Sequence, residues 1–155
     1  MIIDRNTLLF FDSSCLIAAV GSPSGGSGFL LSLCVRGYLK AVVSQPVLLE
    51  AQNNIQSKLG ERLIRRFHNL LVIVPFSLAS LPNRAEFGWL EKLVNSRDVH
   101  VVAAALEIQA SYLLTLDKGL ALEVNRANLG IQALSPGEFI KTVLPDHVDY
   151  SKVGE

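Results

Sequence analysis

Apolar residues along this chain fall into two kinds of run. Short, nearly unbroken blocks occur at LLFF (8–11), KAVVS (40–44), LVIVPF (71–76), SYLLTLD (111–117) and GIQAL (130–134), and each has the length and composition of a strand. LVIVPF, almost wholly apolar, reads as a strand covered on both faces. Between these blocks lie longer segments with helical spacing. A short helical stretch covers 16–20, and FLLSLCVRGYL (29–39) follows, ending near a C-capping Gly37. Gln45-Pro46 opens the helix VLLEAQNNIQSKL, with Pro in the tolerated first turn. Gly60 breaks it, and ERLIRRFHNLL starts another. Residues 84–95 predict an amphipathic helix around Phe87, Trp89, Leu90 and Leu93. DVHVVAAALEIQA (98–110) is apolar nearly all round, so it predicts a buried helix whose alanines allow close approach to a sheet. One more helix fits between 117 and 130, and Ser135-Pro136 opens a last one through Val143.

Strands that alternate with helices predict an α/β fold of three layers, α/β/α, around a central, mainly parallel five-stranded sheet. One domain is expected over residues 1–144, followed by a polar tail at 145–155 that reads as loose. GSPSGGSG (21–28) reads as a mobile connection. It is no phosphate-binding loop, because no Gly-Lys-Ser/Thr follows.

Composition narrows the class without naming a function. The chain has 155 residues, of which 50% are hydrophobic and 18% charged, enough for a proper core. Its 14 basic and 14 acidic residues cancel, which argues against coating nucleic acid through bulk charge but leaves room for a local basic patch. No apolar run approaches the roughly 18 to 20 residues of a membrane span. MIIDRNTLLFF lacks a basic leader and a small-residue cleavage site, so no signal peptide is expected. Cys15 and Cys34 sit in apolar segments without a CxxC spacing and read as buried free thiols in a reducing cytoplasm.

The candidate chemistry lies in the carboxylates. The chain has only six aspartates, and Asp4, Asp146 and Asp149 belong to its terminal segments. Asp12 and Asp117 directly follow LLFF and YLLTL, and Asp98 opens the buried helix. Residues just after parallel strands share the carboxyl edge of the sheet, where such folds place their sites. Glu50, one turn into the helix after KAVVS, can reach the same edge. Taken singly, Asp98 reads as an N-cap, Asp117-Lys118-Gly119 as a turn and Glu50 as a solvated helix position. Asp12 resists such a reading, because it is flanked by apolar residues on both sides and an unpaired buried charge is costly. Four carboxylates on one edge repel one another, so together they make sense mainly around a divalent cation. An all-oxygen set with no His or Cys favours Mg²⁺ or Mn²⁺. His100, in the first turn after Asp98, reads as a partner-satisfied histidine rather than a phosphate contact.

Four blocks in order resemble the PIN-domain nucleases, which include the VapC-type toxins of toxin–antitoxin pairs. LFFDSSCLIAAV resembles the opening strand-Asp motif of that family, and VVSQPVLLEAQ its second block with an acidic residue. RDVHVVAAALEIQASYLLTLDKGL resembles the third and fourth blocks, and ALSPGEFI the usual ending. The resemblance spans roughly residues 8–141. It implies a PIN-like nuclease domain with catalytic and metal-binding Asp12, Glu50, Asp98 and Asp117, and with Ser14 and Thr115 orienting the ligands. It further implies Mg²⁺- or Mn²⁺-dependent cleavage of RNA, mainly single-stranded, with RNA as substrate, an antitoxin protein as partner, a homodimer and no membrane. One departure is Ser13-Ser14, where many members carry Thr-Asn; serine keeps one hydrogen bond to the aspartate and loses the amide's second donor. Arg62, Arg65 and Arg66 on one helix read as a solvated face or as a contact for RNA backbone or an acidic antitoxin segment. The competing reading is a weak or inactive module of the same fold that binds RNA or a protein.

Overall fold

The computed structural model of the chain describes residues 2–154. Strand β1 (Leu8–Phe11) leads into α1 (Ser13–Gly21) and α2 (Gly26–Val35). Strand β2 (Lys40–Ser44) leads into α3 (Gln45–Lys58) and α4 (Glu61–Ile73), then β3 (Ser77–Ala79), α5 (Arg84–Phe87) and a 3₁₀ turn at Gly88–Lys92. The second half comprises α6 (Val99–Glu107), β4 (Tyr112–Leu114), α7 (Lys118–Arg126), β5 (Gln132–Leu134), α8 (Pro136–Thr142) and α9 (Tyr150–Val153). All strand pairs are parallel, in the order β3-β2-β1-β4-β5. The result is the three-layer α/β/α architecture expected from the alternating pattern, with the sheet parallel throughout.

β1 is the central strand, and Leu9, Phe10 and Phe11 are fully buried in it. Burying each such side chain contributes about 1.5–3 kcal/mol, so β1 anchors the core. Helices begin where the residues demand it. Ser44 caps α3 through its Oγ, which accepts from Val47 N at 3.4 Å, and Ser135 and Glu138 form a reciprocal capping box at α8. Gly37 ends α2 at φ +83°, a left-handed conformation that lets Tyr38 N reach back to Leu33 O. Among the described residues no single helix is long and apolar enough to cross a membrane; the apolar α1 and α2 are bent by 96° to each other.

Three expectations are corrected. LVIVPF is not a strand: α4 runs on to Ile73, and the strand is the three-residue β3. Leu63, Ile64, Phe67, Leu70 and Leu71 repeat at i, i+1, i+4, i+7 and i+8 and pack on the core, so helix propagates through them. Pro75, lacking an N–H, follows the break. β3 is an edge strand paired only with β2; Leu78 on it is exposed while Ala79 is buried, so it is not the strand covered on both faces that was expected. The amphipathic helix over 84–95 is instead α5 followed by the 3₁₀ turn, divided at Gly88, a poor helix former.

The third correction concerns the looseness expected after Pro145. Ile3 bridges His147, and Val148 N donates to Ile3 O at 2.9 Å. His147 is buried; its Nε2 lies 2.7 Å from Tyr38 O and its Nδ1 accepts from Asp149 N at 2.9 Å, which places the proton on Nε2. Arg36 Nη1 donates to Val153 O at 2.9 Å. Residues 146–153 are therefore tied to the body by polar atoms that would otherwise be solvated. Cys15 and Cys34 are free and buried, and burial pushes both thiols up to about 12, with the charge of Asp12 adding to the rise at Cys15.

Candidate active site

β1 and β4 lie side by side, and the chain leaves them in opposite directions, toward β2 through α1 and toward β5 through α7. That divergence is the topological switch point, where a parallel sheet opens a crevice at its carboxyl edge. Asp12 stands directly after β1, and Thr115 and Asp117 stand after β4.

Asp12 is 8% exposed and held from several sides. Its backbone N donates to Leu114 O at 3.0 Å, which ties it to β4. Oδ1 accepts from Ser13 N at 2.8 Å and so caps α1, while Oδ2 accepts from Thr115 Oγ1 at 2.8 Å and Ser14 Oγ at 3.3 Å. Each hydroxyl also accepts: Thr115 Oγ1 from Asp117 N at 3.1 Å, and Ser14 Oγ from Leu116 N at 3.0 Å. Two serine or threonine hydroxyls thus stitch the end of β1 to the turn after β4 through one carboxylate. Thr115 is itself buried, so removing its hydroxyl leaves the buried Asp12 carboxylate and the Asp117 N–H each one hydrogen bond short. Thr115→Val is expected to lower the unfolding free energy by about 1–3 kcal/mol, and Thr115→Ser to restore most of it. Urea denaturation of the three proteins checks this, and equal midpoints would contradict it.

Asp98 occupies the N-cap position of α6 yet makes no side-chain cap hydrogen bond. Burial first, then the charges of Asp117 and Asp12, push the Asp98 carboxyl above its ordinary value; Arg97 pulls it back, and Glu123 adds to the rise. Asp117 is exposed and caps α7, its Oδ1 accepting from Leu120 N at 3.1 Å, which leaves Oδ2 available. Among the described residues no Lys or Arg is ion-paired with Asp12, Asp98 or Asp117. Asp117 and Asp12 therefore bear on Asp98 without an ion pair among the described residues, and Arg97 offsets them only in part.

Glu50 is placed differently. It is exposed on α3, and it is not among the charges acting on Asp98. Glu123, on α7, does act there, and sequence spacing alone offered no reason to single it out. Among the described residues no three His, Cys, Asp or Glu side chains stand close enough to make a closed ligand set. The donors present still suit a hard cation. Asp12 uses three of roughly four acceptor sites, and Asp98 and Asp117 keep oxygens uncommitted. Mg²⁺ is commonly held by one or two carboxylates plus waters and substrate phosphates, so a half-open acidic set fits it.

The other candidates are dispersed. Arg62 and Arg65 are exposed on α4, with Arg65 in a loose 3.9 Å pair with Glu61. Arg66 turns inward, where its Nη1 donates to Val20 O at 3.5 Å, near the end of α1. His100 departs from the partner-satisfied reading: its Nδ1 is buried and has no hydrogen-bond partner among the described residues.

No family model and no curated protein matches the sequence. Solved structures do match its fold. A VapBC2 complex from Rickettsia felis bound to a promoter DNA fragment aligns with a TM-score of 0.64 at 15% identity, over 83% of this chain and 98% of that one. VapBC-1 from nontypeable Haemophilus influenzae aligns at 0.58 and 16% identity, over 84% and 99%. VapC20 of Mycobacterium tuberculosis, a toxin that cleaves the sarcin-ricin loop, aligns at 0.53 and 15% identity, over 74% and 93%. The chain has a PIN-like α/β/α fold. It is the fold of VapC toxins.

Proposed function

We propose that this chain is a divalent-cation-dependent endoribonuclease of the VapC type, acting on single-stranded RNA. The observation that carries the reading is the meeting of Asp12, Asp98 and Asp117 at the switch point of the sheet, where the charges of Asp117 and Asp12 both press on Asp98 against the opposing charge of Arg97. The VapC-like fold supports the same chemistry. Asp12, locked by Ser13, Ser14 and Thr115, is the fixed ligand, and Asp98 and Asp117 are the adjustable ones. Glu50 joins them only through water or substrate, given its exposed place on α3. When bound, Mg²⁺ or Mn²⁺ supplies Lewis acidity and offsets the charge that builds on a phosphate during cleavage. The cellular setting that goes with this reading is the cytoplasm, with an antitoxin protein and a second copy of the chain as partners.

Purified protein is expected to nick single-stranded RNA in Mg²⁺ or Mn²⁺ and to stop in EDTA. Cleavage that persists in EDTA would overturn the proposal. So would no cleavage across varied substrates while Mn²⁺ raises the melting temperature, which would favour an inactive binding module of this fold.

Arg62 and Arg65 are the exposed cations of α4 and the proposed contacts for RNA backbone or an acidic antitoxin segment, with Arg66 contributing from its inward position. The double variant Arg62→Ala/Arg65→Ala spares the Arg66 hydrogen bond to α1. It is expected to reduce the slope of log affinity against log salt by about 1 to 2, because each phosphate left without its arginine lowers the slope by roughly one. An unchanged slope for RNA and antitoxin alike would return both residues to a solvated face.

A further inference from the structure

Beside the acidic edge lies a cleft that the carboxylates do not use. It is about 270 Å³ in volume and lies between the 82–91 segment and the first turns of α6. Asn83, Phe87, Gly88, Glu91, Val99 and His100 line it. We propose that this cleft is a subsite for one nucleobase of the RNA strand, a base presenting an exocyclic amino group, next to the phosphate that is cut. The proposal rests on the ribonuclease reading above.

Four observations converge on it. The volume falls just below the roughly 300 Å³ at which pockets for drug-sized ligands begin, which suits one planar group. Phe87 is half-buried and packed on the core, so it offers a fixed ring for stacking. His100 lines the cleft as well and adds a second planar ring, its buried Nδ1 without a hydrogen-bond partner among the described residues. Glu91 is the one charged group among the described lining residues, and as a carboxylate it can only accept hydrogen bonds. A base edge that carries an amino group therefore finds an acceptor in the cleft. Adenine, cytosine and guanine present an amino group, whereas uracil does not. His100 lies two residues after Asp98, so a base held there keeps its own phosphate close to the acidic edge.

The chain carries one tryptophan, Trp89, which is next to Gly88 and 47% exposed, so its fluorescence reports on the cleft. Short homopolymer RNAs are titrated into metal-free protein in EDTA, where no cleavage interferes. Oligo(A) and oligo(C) are expected to change Trp89 emission and to bind about tenfold tighter than oligo(U). Phe87→Leu, which keeps the apolar bulk but removes the ring, is expected to weaken oligo(A) binding about tenfold or more. Gly88 has right-handed backbone (φ −57°, ψ −27°) and a Cβ there meets nothing within 4 Å, so Gly88→Leu narrows the cleft without strain and is expected to weaken binding similarly. Glu91→Gln, which adds a donor, should close the gap between oligo(A) and oligo(U). Equal affinity for the three RNAs, or binding untouched by Phe87→Leu and Gly88→Leu in proteins with unchanged melts, would overturn the subsite. Base-selective binding without cleavage in Mn²⁺ would sink the ribonuclease reading and leave the subsite standing.

Discussion

Replacing Asp12 with Asn is expected to abolish RNA cleavage and also to destabilise the metal-free protein. On the reading proposed above, a cation at the site would supply several kcal/mol of charge stabilisation, and about 1.36 kcal/mol is tenfold in rate, so kcat/KM should fall by at least roughly 1,000-fold. The stability loss follows from the hydrogen bonds. Asn keeps an oxygen to cap α1 through Ser13 N, but its amide meets the Ser14 and Thr115 hydroxyls, which both donate to the carboxylate in the wild type. Those hydroxyls already accept from Leu116 N and Asp117 N, so reversing them strands their own protons. Losing charge-assisted hydrogen bonds of this kind costs about 1–3 kcal/mol, partly offset by the relief of repulsion with Asp98. Melting curves in EDTA and in Mn²⁺, beside a cleavage assay, check both halves. Retained cleavage, or retained stabilisation by Mn²⁺, would remove Asp12 from the site.

The Asp98→Asn variant is expected to lose cleavage equally and yet to be slightly more stable than the wild type in EDTA. Asp98 makes no cap bond, so nothing structural is forfeited, while its charge is opposed by burial and by Asp117 and Asp12. Because the folded carboxyl holds its proton above the ordinary value of 3.8, the folded state binds more protons than the unfolded one in that range. Its contribution to stability therefore falls as pH rises from about 3.8 through the raised value. The Asn variant lacks that decline. After solvent screening of a partly exposed group, the gain at neutral pH is no more than about 1 kcal/mol. Denaturation midpoints from pH 3 to 7 (roughly the range over which a raised carboxyl titrates) decide the matter. A wild type that gains on Asp98→Asn as pH rises would refute the repulsion. Together the two variants separate a carboxylate that builds the site from one that is only confined by it.

Much of this was legible in the chain. Four of the five strands, β1, β2, β4 and β5, lie within the apolar blocks that predicted them; β1 and β4, inside the sheet, are wholly apolar because both faces are covered, while β2 and β5 each start on one exposed polar residue. The acids at strand ends were equally plain, since a charge beside LLFF or YLLTL cannot be there for packing. The misread segment, LVIVPF, failed for a physical reason: a short apolar run satisfies either period, and only its continuity with Phe67 on the α4 face chose helix. The tail was misread because its polar composition does not reveal that Tyr38 and Ile3 offer partners for it.

What the sequence determined by itself was an alternation of elements and a set of carboxylates at their junctions, because burial and periodicity are local properties. It could not determine that β1 and β4, a hundred residues apart, are neighbours at the point where the sheet changes direction. Only that pairing brings Asp12 to Thr115 at 2.8 Å and puts Asp117 within electrostatic reach of Asp98, while leaving Glu50 exposed on another helix. The same packing set His100 in the wall of a cleft with its Nδ1 buried and unpartnered among the described residues, which no spacing in the chain discloses. Contacts between distant residues depend on strand order, and strand order is set by how the whole core closes.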